Sequence, residues 1–200
     1  MASWGFLVLF VTIVLSRVGA VETNEAVLEE GANGTAVVLL SIAHIQQAAI
    51  FPDDNEMLRR IAYVETRDGS DPDTYSEGNY GGIWAVSEAA FENTKDTSNA
   101  LLALKHEQIV QQFGIDWGRV QFSELRKPLY SALAARLVLF AAPRAIPSST
   151  DVAAQAQFWR ENYNSAGSVD DFIGATNELQ GGIYTLRWHG GLKNVVAIYI

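Results

Sequence analysis

Residues 61–70 read Ile-Ala-Tyr-Val-Glu-Thr-Arg-Asp-Gly-Ser, and we expect the fold and the functional site to be organised around them. A Pro-Asp-Asp start signal precedes them and predicts a helix over residues 53–65. Leu58, Ile61 and Glu65 fall at i, i+3 and i+7 of that helix. This spacing places the Glu65 carboxylate on the stripe that faces the core.

The position of Glu65 indicates its chemistry. Gly69, in a run of Asp, Gly and Ser, predicts that the helix stops soon after Glu65, which therefore lies in the last turn. The negative end of the helix dipole disfavours a second negative charge there, and partial burial acts in the same direction, so the pKa should be raised. A general acid for glycosidic cleavage must be protonated near neutral pH. The alternative is a solvated glutamate at a frayed helix end.

Three short motifs occur in order along the chain: Glu65-Thr66, then Gly82-Ile83-Trp84 after a polar loop, then Tyr163-Asn164 with Gly167. Together they resemble the soluble lytic transglycosylase and goose-type lysozyme group, whose signature is Glu-Ser/Thr, then Gly-Leu-Met-Gln, then Tyr-Asn with a nearby Gly. The resemblance covers roughly residues 55–167. It implies a mainly α (α+β), lysozyme-like single domain with a substrate groove.

The resemblance also implies that Glu65 is the one essential acid. In lytic transglycosylases the same residue then acts as base, and the substrate's own hydroxyl attacks to give an anhydro-sugar. In goose-type lysozymes water attacks, helped by acids in the loop after the glutamate. Glu77 is the candidate for that assisting role, with Asp71 or Asp73 as alternatives, although all three also fit a solvated acidic loop. Tyr163 would steady the acid through its hydroxyl, unless it is an ordinary core tyrosine.

Candidate substrate-binding residues belong to the same motifs and the loop before them. The rings of Tyr80, Trp84 and Trp159 are candidates to stack on pyranose rings, although aromatic side chains more often serve as core residues. Gly82 would allow a tight turn or a close backbone approach to a ligand. The carried-over binding set is Tyr80, Gly82, Ile83, Trp84 and Asn164.

Two departures from the family pattern lie beside these residues. Ala85 stands where the family has Gln, and it offers neither a donor nor an acceptor to a substrate amide. Ser87 stands where goose-type enzymes have Asp. Because losing one well-placed polar contact typically costs ~10²–10³ in rate, weak activity is expected.

The amino-terminal residues predict secretion. Residues 5–15 form an apolar run, and Val18 and Ala20 occupy the small-residue positions of a signal-peptidase site. The run is shorter than the ~20 apolar residues of a membrane span, so no stable membrane anchor is expected. The domains are then a signal peptide at 1–20, a flexible segment at 21–35 and the lysozyme-like domain at 36–200. Asn33 begins an Asn-x-Thr sequon and is the expected glycosylation site.

Hydrophobic spacing and capping residues predict further helices. The stretch 129–142 is apolar nearly all round, with Pro128 fitting its first turn, so this helix should be central. The stretch 181–200 is expected to form a hairpin or irregular cover. The remaining expected helices lie at 36–50, 87–91, 99–113, 151–162 and 169–179.

Composition excludes several classes of function. The net charge of −9 argues against nucleic-acid binding, and no Cys is present, so neither disulfides nor thiol chemistry are possible. The three histidines show no metal-ligand spacing, and no phosphate loop or dinucleotide fingerprint occurs. We therefore expect that the protein uses no metal or cofactor and that it is a monomer that binds a polysaccharide. The rival hypothesis is a non-catalytic glycan-binding or extracellular-matrix protein that keeps the fold and groove.

Overall fold

The computed structural model describes the backbone of residues 25–188 and the side chains as far as residue 181. This part of the chain is mainly helical, as expected, and no β-strand occurs among residues 25–188. The α-helices that lie wholly within it are α1 (Thr35–Ala48), α2 (Met57–Thr66), α3 (Glu88–Asn93), α4 (Ala100–Phe113), α5 (Pro128–Ala141), α6 (Val152–Asn162) and α7 (Val169–Trp188), with short 3₁₀ helices at Trp117–Arg119 and Phe122–Arg126.

Helix α5 is central, which confirms the prediction made from its lack of a polar face. Pro128 occupies its first turn, where a missing backbone N–H costs nothing. Ten of its 14 residues are buried. The helix packs against α1, α2, α3 and the second 3₁₀ helix, so these four elements are arranged around it.

Helix α2 begins at Met57, four residues later than predicted. Asn55 and Glu56 have φ angles of 52° and 63°, which a right-handed helix does not allow. The start signal is nevertheless used, because the buried Asp54 carboxylate accepts a hydrogen bond from the Leu58 N–H at 3.1 Å. The acidic stretch therefore caps the helix from outside rather than forming its first turn.

The amino-terminal segment differs from the flexible arm expected over 21–35. From residue 25 onward it is packed: Val27 is 1% exposed, and its carbonyl accepts from the Leu129 N–H at 2.9 Å. Glu30 forms an ion pair with Arg126 at 2.7 Å. The predicted signal peptide at 1–20 lies outside the described residues, and within them no helix is both long and apolar enough to cross a membrane.

Helix α7 is longer than the predicted 169–179, because it continues through Gly181 and Gly182 to Trp188. The hairpin or irregular cover expected from 181 onward is therefore wrong as far as residue 188, and residues 189–200 lie outside the described part of the chain. Helix α7 packs against both α2 and α6. It thereby holds together the two helices that carry Glu65 and the Tyr163 turn.

The loop at 67–80 is tied down at its beginning. Asp68 is 3% exposed and accepts a bidentate pair of hydrogen bonds from Arg59, at 2.5 and 2.9 Å. The Thr35 hydroxyl donates to the same carboxylate at 2.7 Å. Further along, the Tyr75 hydroxyl donates to a carbonyl of the amino-terminal segment at 2.9 Å. The chain that leaves Glu65 is therefore fixed by buried polar contacts.

We expect Asp68→Asn to lower the free energy of unfolding by about 2 kcal/mol, because it leaves the Arg59 guanidinium largely buried without its counter-charge. Asn keeps the shape and tolerates the positive φ of 62° at this position. The matched control is Glu92→Gln, which breaks an exposed pair with Lys95 and should cost less than about 0.5 kcal/mol. Urea unfolding of both variants measures the difference, and equal costs would contradict a structural role for the Asp68 pair.

Candidate active site

Glu65 lies in the last turn of α2, as predicted. Thr66 is the last helical residue, and Arg67 ends the helix in the left-handed conformation with a φ of 52°. The Glu65 side chain is half-buried. Burial raises the pKa of its carboxyl above the ordinary value of 4.5, while hydrogen bonds from Trp159 and Asn164 act in the opposite direction without cancelling the rise. The predicted direction of the pKa is thus supported, with burial as its main cause.

Only neutral groups bind the Glu65 carboxylate among the residues that the structure describes. The Trp159 indole N–H donates to Oε1 at 2.8 Å. The Asn164 side-chain amide lies 3.1 Å from both Oε1 and Oε2. No ion pair within this part of the chain involves Glu65. Without a cation to hold it ionised, the carboxyl remains able to carry a proton.

Tyr163 lies beside the acid but does not bond to it. Its hydroxyl donates to the backbone carbonyl of Trp84 at 2.6 Å. Burial first and then the charge of Glu65 raise the pKa of Tyr163 well above its ordinary value, so the phenol stays neutral. The expected proximity of Tyr163 and Glu65 is therefore present, and the tyrosine steadies the site by joining the end of α6 to the 81–86 turn.

Packing explains why the third motif contains a glycine at position 167. A Cβ at this position would lie 2.0 Å from the Trp159 ring, so only glycine leaves room for the indole. Phe172 packs against the same ring, with centroids 5.3 Å apart. Trp159 is 2% exposed. Trp159 is therefore a core residue, the alternative that the sequence favoured over sugar stacking, and its indole supplies a hydrogen bond to Glu65.

The second motif is also buried, which corrects its expected role in contacting substrate. Ile83 and Trp84 are 0% exposed. The Ile83 carbonyl accepts from the Thr66 hydroxyl at 2.6 Å, and the Trp84 indole donates to the Leu58 carbonyl at 2.8 Å. Their side chains are unavailable to a ligand, and they fix the 81–86 turn onto α2 instead.

Gly82 is required by packing and not by a ligand. Its φ is 64°, and a Cβ there would lie 2.0 Å from the Leu125 carbonyl oxygen and 2.7 Å from the Ser131 Cβ. The backbone of the turn therefore approaches the second 3₁₀ helix and α5, and this replaces the close approach to a substrate that the sequence suggested.

The two departures from the family pattern have structural consequences of their own. Ala85 has a φ of 45°, a strained conformation for a residue with a Cβ. Ser87 is the N-cap of α3, and its hydroxyl accepts from the Ala90 N–H at 3.2 Å. The Ser87 side chain is thus used to begin a helix, as the sequence predicted.

Glu77 and Tyr80 are both exposed but lie apart from the hydrogen bonds of Glu65. They line a cavity of about 500 Å³ together with Glu30, Ser123 and Arg126, among others. Neither bonds to Glu65, and none of the causes that shift the pKa of Glu65 is another carboxylate. Asp71 and Asp73 are exposed as well, and the only bond joining them runs from the Asp73 N–H to the Asp71 carboxylate. The structure therefore brings Glu65, Tyr163 and Asn164 together, and none of the three loop acids forms a hydrogen bond with Glu65.

The predicted glycosylation site lies at the surface. Asn33 is exposed, and its amide donates to the Gly31 carbonyl at 3.1 Å, so glycosylation there remains a prediction. Within the described residues no group of His, Cys, Asp and Glu is suited to hold a metal ion.

Sequence reasoning missed the hydrogen bond from Trp159 to Glu65. A signal was present, because Trp159 lies four residues before Tyr163 and so about one helical turn away on the same face of α6. Gly167 was a second signal, since glycine near an aromatic residue often marks close packing.

No family model, curated protein or solved structure matches this chain. The site is therefore interpreted from its own geometry and from the order of its three motifs.

We expect Glu65→Gln to stabilise the protein progressively, relative to the parent, as the pH rises above about 4.5. The folded-state pKa of Glu65 is raised, so its contribution to stability is fully present below the unfolded value and is lost as the pH rises through the folded value. Glutamine is neutral throughout and escapes this loss. Its amide would face that of Asn164, which adds a cost that does not change with pH.

Thermal unfolding at several pH values from about 4 to 8 gives the difference in melting temperature between Glu65→Gln and the parent at each pH. We expect this difference to shift in favour of Glu65→Gln as the pH rises. Glu107→Gln, on the exposed side of α4, is the matched control and should give a nearly constant difference. A constant difference for Glu65→Gln as well would contradict a raised pKa.

Proposed function

We propose that this protein is a secreted, lysozyme-like glycosidase or lytic transglycosylase. It cleaves β-1,4-linked N-acetylhexosamine polymers, such as peptidoglycan or chitin, with Glu65 as the general acid. The observation that carries the proposal is the half-buried Glu65 carboxyl, to which, within residues 25–181, only the neutral groups of Trp159 and Asn164 donate. The order of the three motifs, and their convergence on Glu65, supports the lysozyme-like interpretation.

In this mechanism Glu65 protonates the glycosidic oxygen, and the leaving sugar departs as an oxocarbenium-like centre forms. The resulting Glu65 carboxylate then accepts a proton from the attacking nucleophile. An inverting hydrolase needs a second carboxylate ~6.5–9.5 Å away to activate water. Because none of the candidate loop acids forms a hydrogen bond with Glu65 or with its two donors among the described residues, we favour attack by the substrate's own hydroxyl. The product is then an anhydro-sugar.

The groups near Glu65 also indicate a slow enzyme. Ala85 cannot bind an N-acetyl group, and the Ser87 hydroxyl is already used as a helix cap. Each missing contact of this kind typically costs ~10²–10³ in rate. The net charge of −9 favours a neutral or weakly charged glycan over an anionic polymer.

A second candidate function is glycan binding without cleavage. It is favoured by the cavity of about 500 Å³ in which Glu77 and Tyr80 are exposed together, because an aromatic ring beside a free carboxylate is typical of sugar-binding surfaces. In that case Glu65 is a remnant of catalysis, and the cavity carries the function.

The test is product analysis by mass spectrometry on chitin and peptidoglycan oligomers, with the parent and Glu65→Gln compared. We expect anhydro-sugar products from the parent and a fall in kcat of about 10²–10⁴ for Glu65→Gln. The matched control is Glu77→Gln, which should leave kcat within a few-fold. Ala85→Gln combined with Ser87→Asp should raise turnover.

The outcomes separate the two functions. Equal activity of the parent and Glu65→Gln would refute the proposed acid. If the parent and the double variant are both inert, but the parent binds the oligomers and Tyr80→Ala does not, the glycan-binding function is correct.

A further inference from the structure

The two oxygens of the Glu65 carboxyl have different surroundings. An indole N–H can only donate, so Oε1, which lies 2.8 Å from Trp159 Nε1, must accept there. The Asn164 amide nitrogen lies 3.1 Å from Oε1 as well and adds a second donor to that oxygen. Within residues 25–181 the only donor to Oε2 is the same Asn164 nitrogen, also at 3.1 Å. The Asn164 amide is thus shared between the two oxygens, and in this part of the chain Oε1 accepts from two groups whereas Oε2 accepts from one.

The Asn164 amide is held with its nitrogen towards Glu65. Its Oδ1 accepts from the Ala166 N–H at 3.2 Å, which fixes the oxygen on the opposite side. The backbone N–H of Asn164 donates to the backbone carbonyl of Trp159 at 3.0 Å. Both donors to Glu65 therefore come from one rigid unit, the end of α6 and its following turn.

We propose that Trp159 is a positioning residue that keeps Oε1 as an acceptor, so that Glu65 carries its acidic proton on Oε2 and delivers it from there. This inference rests on the proposed role of Glu65 as the proton donor. It follows that Oε2 is the oxygen that faces the glycosidic bond. After transfer, the same oxygen takes the proton from the attacking hydroxyl, since Oε1 remains bound to Trp159 throughout.

The Trp159 ring is held in place for this task. It is 2% exposed, and it is packed between Phe172 and the Gly167 backbone. A side chain at 167 would have to displace the ring. Trp159 and Gly167 therefore act together to position Oε1, and either residue can be changed to test the inference.

The first experiment titrates Glu65 by ¹³C NMR of its side-chain carboxyl in the parent, Trp159→Phe and Gly167→Ala. A hydrogen bond to a charged carboxylate stabilises the ionised form, so its loss in Trp159→Phe should raise the pKa of Glu65 by about one to two units. Gly167→Ala should shift the pKa in the same direction, because it moves the indole without removing any donor. The alkaline limb of the kcat profile should move with the pKa.

The matched control is Trp117→Phe. Trp117 is equally buried, but its indole donates to the Thr94 hydroxyl at 2.9 Å and not to Glu65. We expect no change in the pKa of Glu65 for this variant. A folded Trp159→Phe protein with an unchanged Glu65 pKa would overturn the inference, and so would an equal shift in Trp117→Phe.

The second experiment needs no variant. Neutron diffraction of the deuterated parent protein, at a pH below the pKa of Glu65, should show deuterium on Oε2. Deuterium on Oε1 would overturn the inference. Both readouts are independent of turnover, so they separate this inference from the proposed function: an inert parent with the expected NMR and neutron results contradicts the glycosidase alone.

Discussion

The candidate site depends most on two neutral donors, Trp159 and Asn164, whose hydrogen bonds hold the half-buried Glu65 carboxyl. These bonds join α2 to the end of α6, and Trp159 lies 94 residues after Glu65 in the sequence. Because the donors carry no charge, they orient the carboxyl without fixing it in its ionised form. A lysine or arginine in the same place would lower the pKa of Glu65 and remove its value as an acid.

A closed ring of contacts surrounds this interaction. Thr66, next to Glu65, donates to the Ile83 carbonyl, and the following Trp84 carbonyl accepts from the Tyr163 hydroxyl. Asn164, next to Tyr163, returns to Glu65. Each of the three motifs thus supplies one side of the ring, which gives a physical reason for short motifs so far apart to occur together. These residues position the Glu65 carboxyl, and in the proposed enzyme the substrate would be bound largely by other groups.

The sequence predicted those features that rest on local rules. Helix α5 followed from its lack of a polar face, α6 from its Asp151 cap, and the place of Glu65 in a last turn from the glycine after it. The predicted start of α2 was wrong, because helix-start signals do not predict two consecutive residues with positive φ.

The roles of the aromatic residues could not be settled from sequence. Trp84 and Trp159 fitted core residues better than sugar-stacking surfaces, but only the packing shows that both are buried. The position of Glu77 was likewise beyond reach, since it depends on the path of a long loop that is fixed by Asp68 and Tyr75. Assignment to the lysozyme-like group remains a proposal that rests on the motifs and on their convergence around Glu65.

The role of Glu65 as a general acid is tested most directly by measuring its pKa in the intact parent protein. The ¹³C shift of its side-chain carboxyl is followed as a function of pH, and the signal is assigned by comparison with Glu65→Gln. We expect a pKa above the ordinary value of 4.5, since burial outweighs the hydrogen bonds from the two neutral donors. A pKa at or below 4.5 would show that the carboxyl is ionised under working conditions and would contradict its role as a general acid.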